Sequence, residues 1–262
     1  MLNGDADLIF SVVVPIHNEE RNLLYSLPSL FNLDPDEVVF ILDNCTDRSK
    51  QLIEAYAQKI RYLGSLKLIE VREIPPDWRY RVAYLFRLGY MAARNDAILT
   101  MAGDIILDPS MKNIIEGFGR DDVKTISFGL KPYPLDTTYF LRRIISRILP
   151  RTAFQGIFLF SRSAWLETEV EEDAKQILKA QDTLTFNSIK RKYASRYTRT
   201  NTLHLRSRFN DSKYYYTRGQ VSYQVSRRST LFMFISSIVY MRPQMFVGYI
   251  HAKRMRIKQV AA

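Results

Sequence analysis

Carboxylates gather where the apolar runs of this chain end, and those ends are where its chemistry is to be sought. The run 10–16, F-S-V-V-V-P-I, contains Pro15, which cannot donate a ladder hydrogen bond, so a strand there must stop. His17, Asn18 and Glu19 then fall at the carboxyl end of a strand, the place where open parallel sheets put their ligands. This turn is a nucleotide-binding candidate. The run 38–42 leads into Asp43, and the run 97–101 into Ala102, Gly103 and Asp104. The two small residues before Asp104 leave room for a metal-bound diphosphate, and hard oxygen ligands of this kind suit Mg²⁺ or Mn²⁺. Asp47 and Asp108 stand where helix caps are expected instead.

The elements that must hold these groups alternate regularly. Val12, Val13, Val14 and Ile16 read as a strand buried on both faces. Helical spacing covers 20–31, 48–60 and 80–94, and apolar strands cover 38–42, 66–71 and 97–101. The pattern βαβαβαβ predicts a parallel sheet wrapped by helices. Neither G-x-G-x-x-G nor G-x-x-x-x-G-K-[ST] follows any of these strands, which argues against dinucleotide-binding oxidoreductases and P-loop enzymes. Something other than a glycine loop must hold the phosphates.

The 262 residues carry a net charge of +11, and it is unevenly placed. Residues 1–130 have 14 Lys+Arg against 19 Asp+Glu, whereas residues 131–262 have 24 against 8. A basic second half predicts a polyanionic partner, nucleic acid or an anionic membrane surface. Two segments favour the membrane. Residues 140–151 place Leu141, Ile144, Ile145, Ile148 and Leu149 at helical spacing among Arg142, Arg143, Arg147 and Arg151, a basic amphipathic helix. Residues 231–241 form an apolar run shorter than the roughly 20 residues needed to cross a bilayer, and it stops at Arg242 and Pro243. With Lys253, Arg254, Arg256 and Lys258 behind it, this tail is expected to lie in the interface; the alternative is a spanning helix over 231–250 with Arg242 snorkelling. The single Cys45 and the lack of a signal-peptide pattern in the first thirty residues predict a cytoplasmic protein at the membrane's inner face.

With these motifs in order, the chain resembles the family 2 glycosyltransferases of GT-A fold. Pro15, Asn18 and Glu19 match that family's P-x-x-N-E turn, and Asp43, Thr46 and Asp47 match its D-x-x-S/T-D. The D-x-D position reads Ala102-Gly103-Asp104, so only the last carboxylate is kept, and the later Glu-Asp pair reads Gln181-Asp182 before a helix at 183–192. Glu172-Asp173 is literally Glu-Asp but lies in an acidic run, and Asp182 is the preferred register. The similarity spans about residues 8–206. It implies a mixed, mostly parallel sheet flanked by helices, with Asp43 at the nucleobase, the turn at 15–19 on ribose and base, Asp104 on the cation and His204 completing the metal shell.

Breaking a sugar–phosphate bond needs charge stabilisation on the leaving diphosphate, which Arg206 and Arg208 can supply beside the cation. It also needs an activated acceptor, and Asp182 can take the proton of an attacking hydroxyl, giving inversion in one displacement. The leading expectation is a glycosyltransferase using a nucleotide-diphosphate sugar and a lipid-linked or other membrane-associated acceptor. Its organisation is expected as a catalytic domain at 1–228, with a donor-binding half at 1–130 and an acceptor half at 131–228, then a membrane-interface tail at 229–262. The competing class is a non-catalytic nucleotide-sugar or nucleic-acid binder, favoured by Tyr193, Tyr197, Tyr214, Tyr215, Tyr216 and Tyr223 among basic residues. A nucleotidyltransferase would want a glycine-rich basic loop after the first strand, which 15–21 is not.

Overall fold

The computed structural model describes residues 8–119, 122–132, 157–178, 181–205, 212–224, 228–239 and 242–257. The expected basic helix at 140–151 lies outside the described residues, as do Arg206, Arg208 and Lys258. The first half alternates as expected, with boundaries shifted by no more than two residues: β1 (Phe10–Ile16), α1 (Glu20–Phe31), β2 (Glu37–Asp43), α2 (Ser49–Lys59), β3 (Ser65–Val71), α3 (Arg81–Ala92) and β4 (Ala97–Thr100). There follow β5 (Ile105–Ile106), α4 (Met111–Glu116), β6 (Val123–Pro132), β7 (Phe158–Ser161), α5 (Arg162–Thr168), α6 (Glu171–Gln176), α7 (Gln181–Lys192) and β8 (Ala194–His204). Three helices complete the described chain: α8 (Ser212–Gln224), α9 (Thr230–Val239) and α10 (Pro243–Arg254).

Eight strands form one sheet in the order β3-β2-β1-β4-β7-β6-β8-β5. β1 pairs in parallel with both β2 and β4, so the winding reverses at β1 and a crevice opens outside the carboxyl ends of β1 and β4. β7 enters antiparallel between β4 and β6, while β6 and β8 run parallel to each other. The sheet is therefore mixed. Continuous apolar runs suit β1, β2 and β4 because these strands are covered on both faces. Val12, Val14, Phe40 and Leu42 pack with Leu23, Leu27 and Ile53 on one side, and Val13, Val39 and Ile41 pack with Leu85, Tyr90 and Trp165 on the other. On that second side Gly89 lets the α3 backbone ride on β1, since a Cβ there would collide with Val13 Cγ1.

The sheet edge away from the crevice is tied by a buried carboxylate. Glu37 accepts from Ser11 Oγ at 2.5 Å and from Arg94 N–H at 2.8 Å, and pairs with Lys67 Nζ at 2.7 Å. Burial pushes this carboxyl up, but the bonds from Lys67, Ser11 and Arg94 together hold it below its ordinary value.

The last three helices pack on one another. A Cβ on Gly219 would overlap the Met245 carbonyl, and one on Gly248 would overlap the Tyr216 carbonyl, so α8 and α10 cross with backbones nearly touching. Among the described residues no helix is long and apolar enough to cross a membrane. Four tyrosines of this region have neighbours within it: Tyr215 lies under Arg242, Tyr216 meets His251 and Tyr223 meets Tyr249.

Candidate active site

The turn after β1 works as a clamp between loops. Asn18 takes a left-handed backbone with φ 52°, a conformation Asn tolerates better than most residues. Its Oδ1 then accepts from Thr46 N–H at 2.8 Å and Asp47 N–H at 3.3 Å. The loop after β2 is thus fixed to the loop after β1. Asp47 accepts from Ser49 N–H and Glu20 N–H, both at 2.9 Å, a second tie to α1; it sits one residue before the N-cap of α2, Arg48, and not in the capping position expected for it. Asp108 likewise accepts from Ser110 N–H at 3.0 Å at the start of α4.

The loop after β4 abuts the same turn. A Cβ on Gly103 would lie 2.6 Å from Ile16 Cδ1 and 3.2 Å from Glu19 Cγ, so a side chain at 103 would push the Asp104 loop off the turn. Asp104 is buried, and its backbone carbonyl accepts from Leu205 N–H at 2.8 Å. β5 pairs Ile105 with His204, which brings His204 Nε2 to 3.1 Å from Asp104 Oδ2. Two residues 100 positions apart therefore meet over the crevice. Among the described residues no three His, Cys, Asp or Glu side chains gather to hold an ion, so this carboxylate and imidazole could serve a divalent cation only with its remaining positions left to diphosphate oxygens and water.

Asp43 ends β2 beside them and is almost fully buried. Arg81 pairs with it through both Nη2 and Nε, the latter at 2.6 Å, and His17 Nδ1–H donates to its carbonyl at 2.6 Å. Arg81 escaped sequence reasoning, yet a signal was present. It opens α3, and a cation in a helix's first turn opposes the macrodipole unless a carboxylate compensates it.

Asp182 reaches the same edge by strand direction. Thr100 at the crevice end of β4 pairs with Phe158, so β7 starts at that edge, and β8 starts at the far edge because it runs parallel to β6. α7 leads from the crevice edge to the start of β8, and its first turn carries Gln181 and Asp182. Asp182 lies close enough to Tyr90 to act on it: burial first, then the charges of Glu169 and Asp182, push that phenol well up. Glu172 and Asp173 lie in the short α6 instead, where Glu172 is exposed and pairs with Lys175 at 2.9 Å. The structure thus gathers Pro15, Asn18, Glu19, Asp43, Asp104 and His204 around one crevice and sets Asp182 on the same edge of the sheet.

The family's sequence model, Glycosyl transferase family 2, matches residues 11–192. The chain belongs to this family. A comparison with curated protein sequences finds no match. Among solved structures, the fold is similar to the mannosyltransferase PcManGT from Pyrobaculum calidifontis in complex with GDP-Man and Mn²⁺, with a TM-score of 0.62 and 18% identity over 94% of this chain and 70% of that one. It is also similar to S. aureus TarS 1-349, TM-score 0.57, 15% identity, 82% of this chain and 65% of that one. The third is glucosyl-3-phosphoglycerate synthase from Mycobacterium tuberculosis with Mn²⁺, UDP and phosphoglyceric acid, TM-score 0.54, 16% identity, 81% and 75%. The chain spans less than two thirds of the TarS fragment and 39% of the longer TarS chain. These likenesses establish the GT-A-like fold.

Proposed function

We propose that this glycosyltransferase moves a sugar from a nucleotide-diphosphate donor to a lipid-linked or other membrane-associated acceptor with inversion, using Mg²⁺ or Mn²⁺ held by Asp104 and His204. The observation that carries the reading is the meeting of Asp104 and His204 at 3.1 Å over the reversal point of the sheet. PcManGT, of similar fold, was solved with GDP-Man and Mn²⁺. When bound, the ion supplies charge stabilisation to the departing diphosphate. Asp43 and the Pro15–Asn18–Glu19 turn hold the nucleoside, and Arg81 sets the Asp43 carboxylate. Asp182 accepts the proton of an attacking hydroxyl, or orients an acceptor phosphate that is already anionic. Arg206 and Arg208, directly after His204 in sequence, are assigned to the diphosphate.

Membrane association at the cytoplasmic face rests on α9, which is largely turned inside out. Its inward side carries Ser236 and Ser237 beside Met233, while Leu231, Phe234, Ile235 and Ile238 are 68%, 47%, 45% and 59% exposed. Water alone would reverse that arrangement. Exposed Lys253, Arg254 and Arg256 flank this face, the charge expected of a helix seated on anionic lipid. Residues 229–262 act as the membrane-interface tail of a catalytic domain at 1–228.

The test is a panel of UDP- and GDP-sugars with Mn²⁺ or Mg²⁺, read by nucleoside diphosphate release and thermal shift. One donor should be turned over, EDTA should stop it, and Asp104→Ala should lose metal-dependent donor binding while keeping a cooperative melt. Donor binding that survives both EDTA and Asp104→Ala overturns the metal assignment, and no response to any donor overturns the function.

A further inference from the structure

The first turn of α7 is held from below by a carboxylate that none of the motifs contains. Glu169 follows α5, and its side chain is 1% exposed. Thr185 Oγ1 donates to its Oε2 at 2.6 Å, and Gln181 Nε2 lies 3.1 and 3.2 Å from its two oxygens. Gln181 Nε2 also reaches Thr185 Oγ1 at 3.1 Å. Arg87, between Glu169 and Glu171, approaches at 3.4 Å and stacks over Trp165. Two residues one helical turn apart on α7 thus converge on one buried carboxyl, which fixes the rotation of the helix about its axis. Asp182 is the neighbour of Gln181, and successive side chains sit about 100° apart, so the rotation that buries Gln181 also sets where Asp182 points.

We propose that Glu169 is a positioning residue for Asp182, and that the pair Glu169–Gln181 works as a matched acid and amide. The inference rests on the reading of Asp182 as the group that meets the acceptor. Matching follows from chemistry: a carboxylate at 181 would face Glu169 at hydrogen-bond distance and both could not be ionised without strong repulsion, whereas the Gln181 amide donates to it. Burial pushes the Glu169 carboxyl up, and the bonds from Thr185 and Gln181 and the Arg87 charge work against that rise. The Gln181 Oε1 atom is buried with no hydrogen-bond partner, so the amide is oriented by the Glu169 side alone.

The experiment compares Gln181→Glu, Glu169→Gln, Glu169→Ala and the swap Glu169→Gln/Gln181→Glu in the full chain. The readouts are kcat and donor KM from nucleoside diphosphate release over the UDP- and GDP-sugar panel, and amide hydrogen exchange along 181–192. Misplacing a reacting group by about 1 Å costs on the order of 100-fold, so Gln181→Glu and Glu169→Ala should lower kcat by about 10- to 100-fold with donor KM little changed. Exchange should rise in the first turn of α7, and the swap should recover most of kcat. A purely structural role predicts equal loss in the swap, because it counts packing and not the acid–amide match. Unchanged kcat in Glu169→Ala, or no recovery in the swap, overturns the inference. Should Glu169→Ala fail to fold, Gln181→Glu and the swap decide it alone by the same criteria. Asp182→Asn keeps the two readings apart: full activity there removes the base assignment, whereas a dead Asp182→Asn beside a fully active Gln181→Glu removes only the positioning role.

Discussion

Replacing Leu231 and Ile238 together by Ser removes the two most exposed apolar residues of α9 among those described, at 68% and 59% exposure, without touching its buried side. Full burial of a Leu or Ile side chain is worth about 1.5–3 kcal/mol, and a little over half of each is available to lipid, so each contributes about 1–2 kcal/mol. The pair should therefore weaken partitioning by about 2–4 kcal/mol, or roughly 30- to 700-fold. Lys253, Arg254 and Arg256 add on the order of 1 kcal/mol each near an anionic surface, so Lys253→Glu with Arg254→Glu should weaken binding to a similar degree. The assay is flotation with vesicles containing one third phosphatidylglycerol, repeated in neutral phosphatidylcholine and at raised salt. The unmodified chain should float with the anionic vesicles and dissociate as salt rises. The serine pair should stay mostly behind while its melting temperature hardly moves, because exposed substitutions rarely shift stability by more than about 0.5 kcal/mol. Failure of the unmodified chain to float, or unchanged flotation of the serine pair, would refute the reasoning. Deleting 229–262 is a poorer probe, since it would strip α8 of its partner α10 at the Gly219–Gly248 crossing.

Asp182→Asn should keep donor affinity by calorimetry but lose transfer by about two to four orders of magnitude; the same loss in Asp173→Asn would move the base to α6. Gly219→Val should destabilise the chain by about 3 kcal/mol or more in urea, because the added carbons meet the Met245 backbone and not a side chain that can move. Lys67→Met should cost about 2 kcal/mol, below the roughly 3–5 kcal/mol of a fully buried pair, because Lys67 keeps 39% side-chain exposure. Glu37 is held below its ordinary 4.5, so its stabilisation is present above that value and is lost as pH falls through the folded value. The gap between Lys67→Met and the parent in urea melts should accordingly narrow below about pH 4.5; a constant gap down to pH 3 would remove Glu37 from the account.

The first half was legible because its signals are local. Strands buried on both faces leave uninterrupted apolar runs, and the residue after each run is at the crevice by necessity, which is why Asn18, Asp43 and Asp104 could be named from spacing. β6 and β8 carry no such signal. β8 is only half covered, and its Arg, Thr and Tyr residues alternate without a clean apolar face. The tyrosines around it suggest base stacking, yet Tyr193 bonds to Glu167 and Tyr197 Oη lies near Gly129 at the β6–β8 ladder. The Arg81–Asp43 and Glu169–Gln181 contacts span 38 and 12 residues and are products of packing, so no period or motif announces them.

Asn18 has a structural role that its motif does not announce. The P-x-x-N-E turn puts it among donor-binding residues, and it does stand at the crevice. Its side-chain oxygen, however, is occupied by two backbone N–H groups of the β2 loop, 28 and 29 residues away. A left-handed residue that also bridges two loops must combine a tolerated positive φ with a short acceptor, which leaves Asn and Asp. Asp would bring a further charge beside Asp43 and Asp47, unfavourable in a crevice proposed to receive a diphosphate. The amide holds the loops in place with no added negative charge. Position 18 therefore fixes the shape of the loop that follows Asp43, and on the proposed function it would act on the donor through that shape.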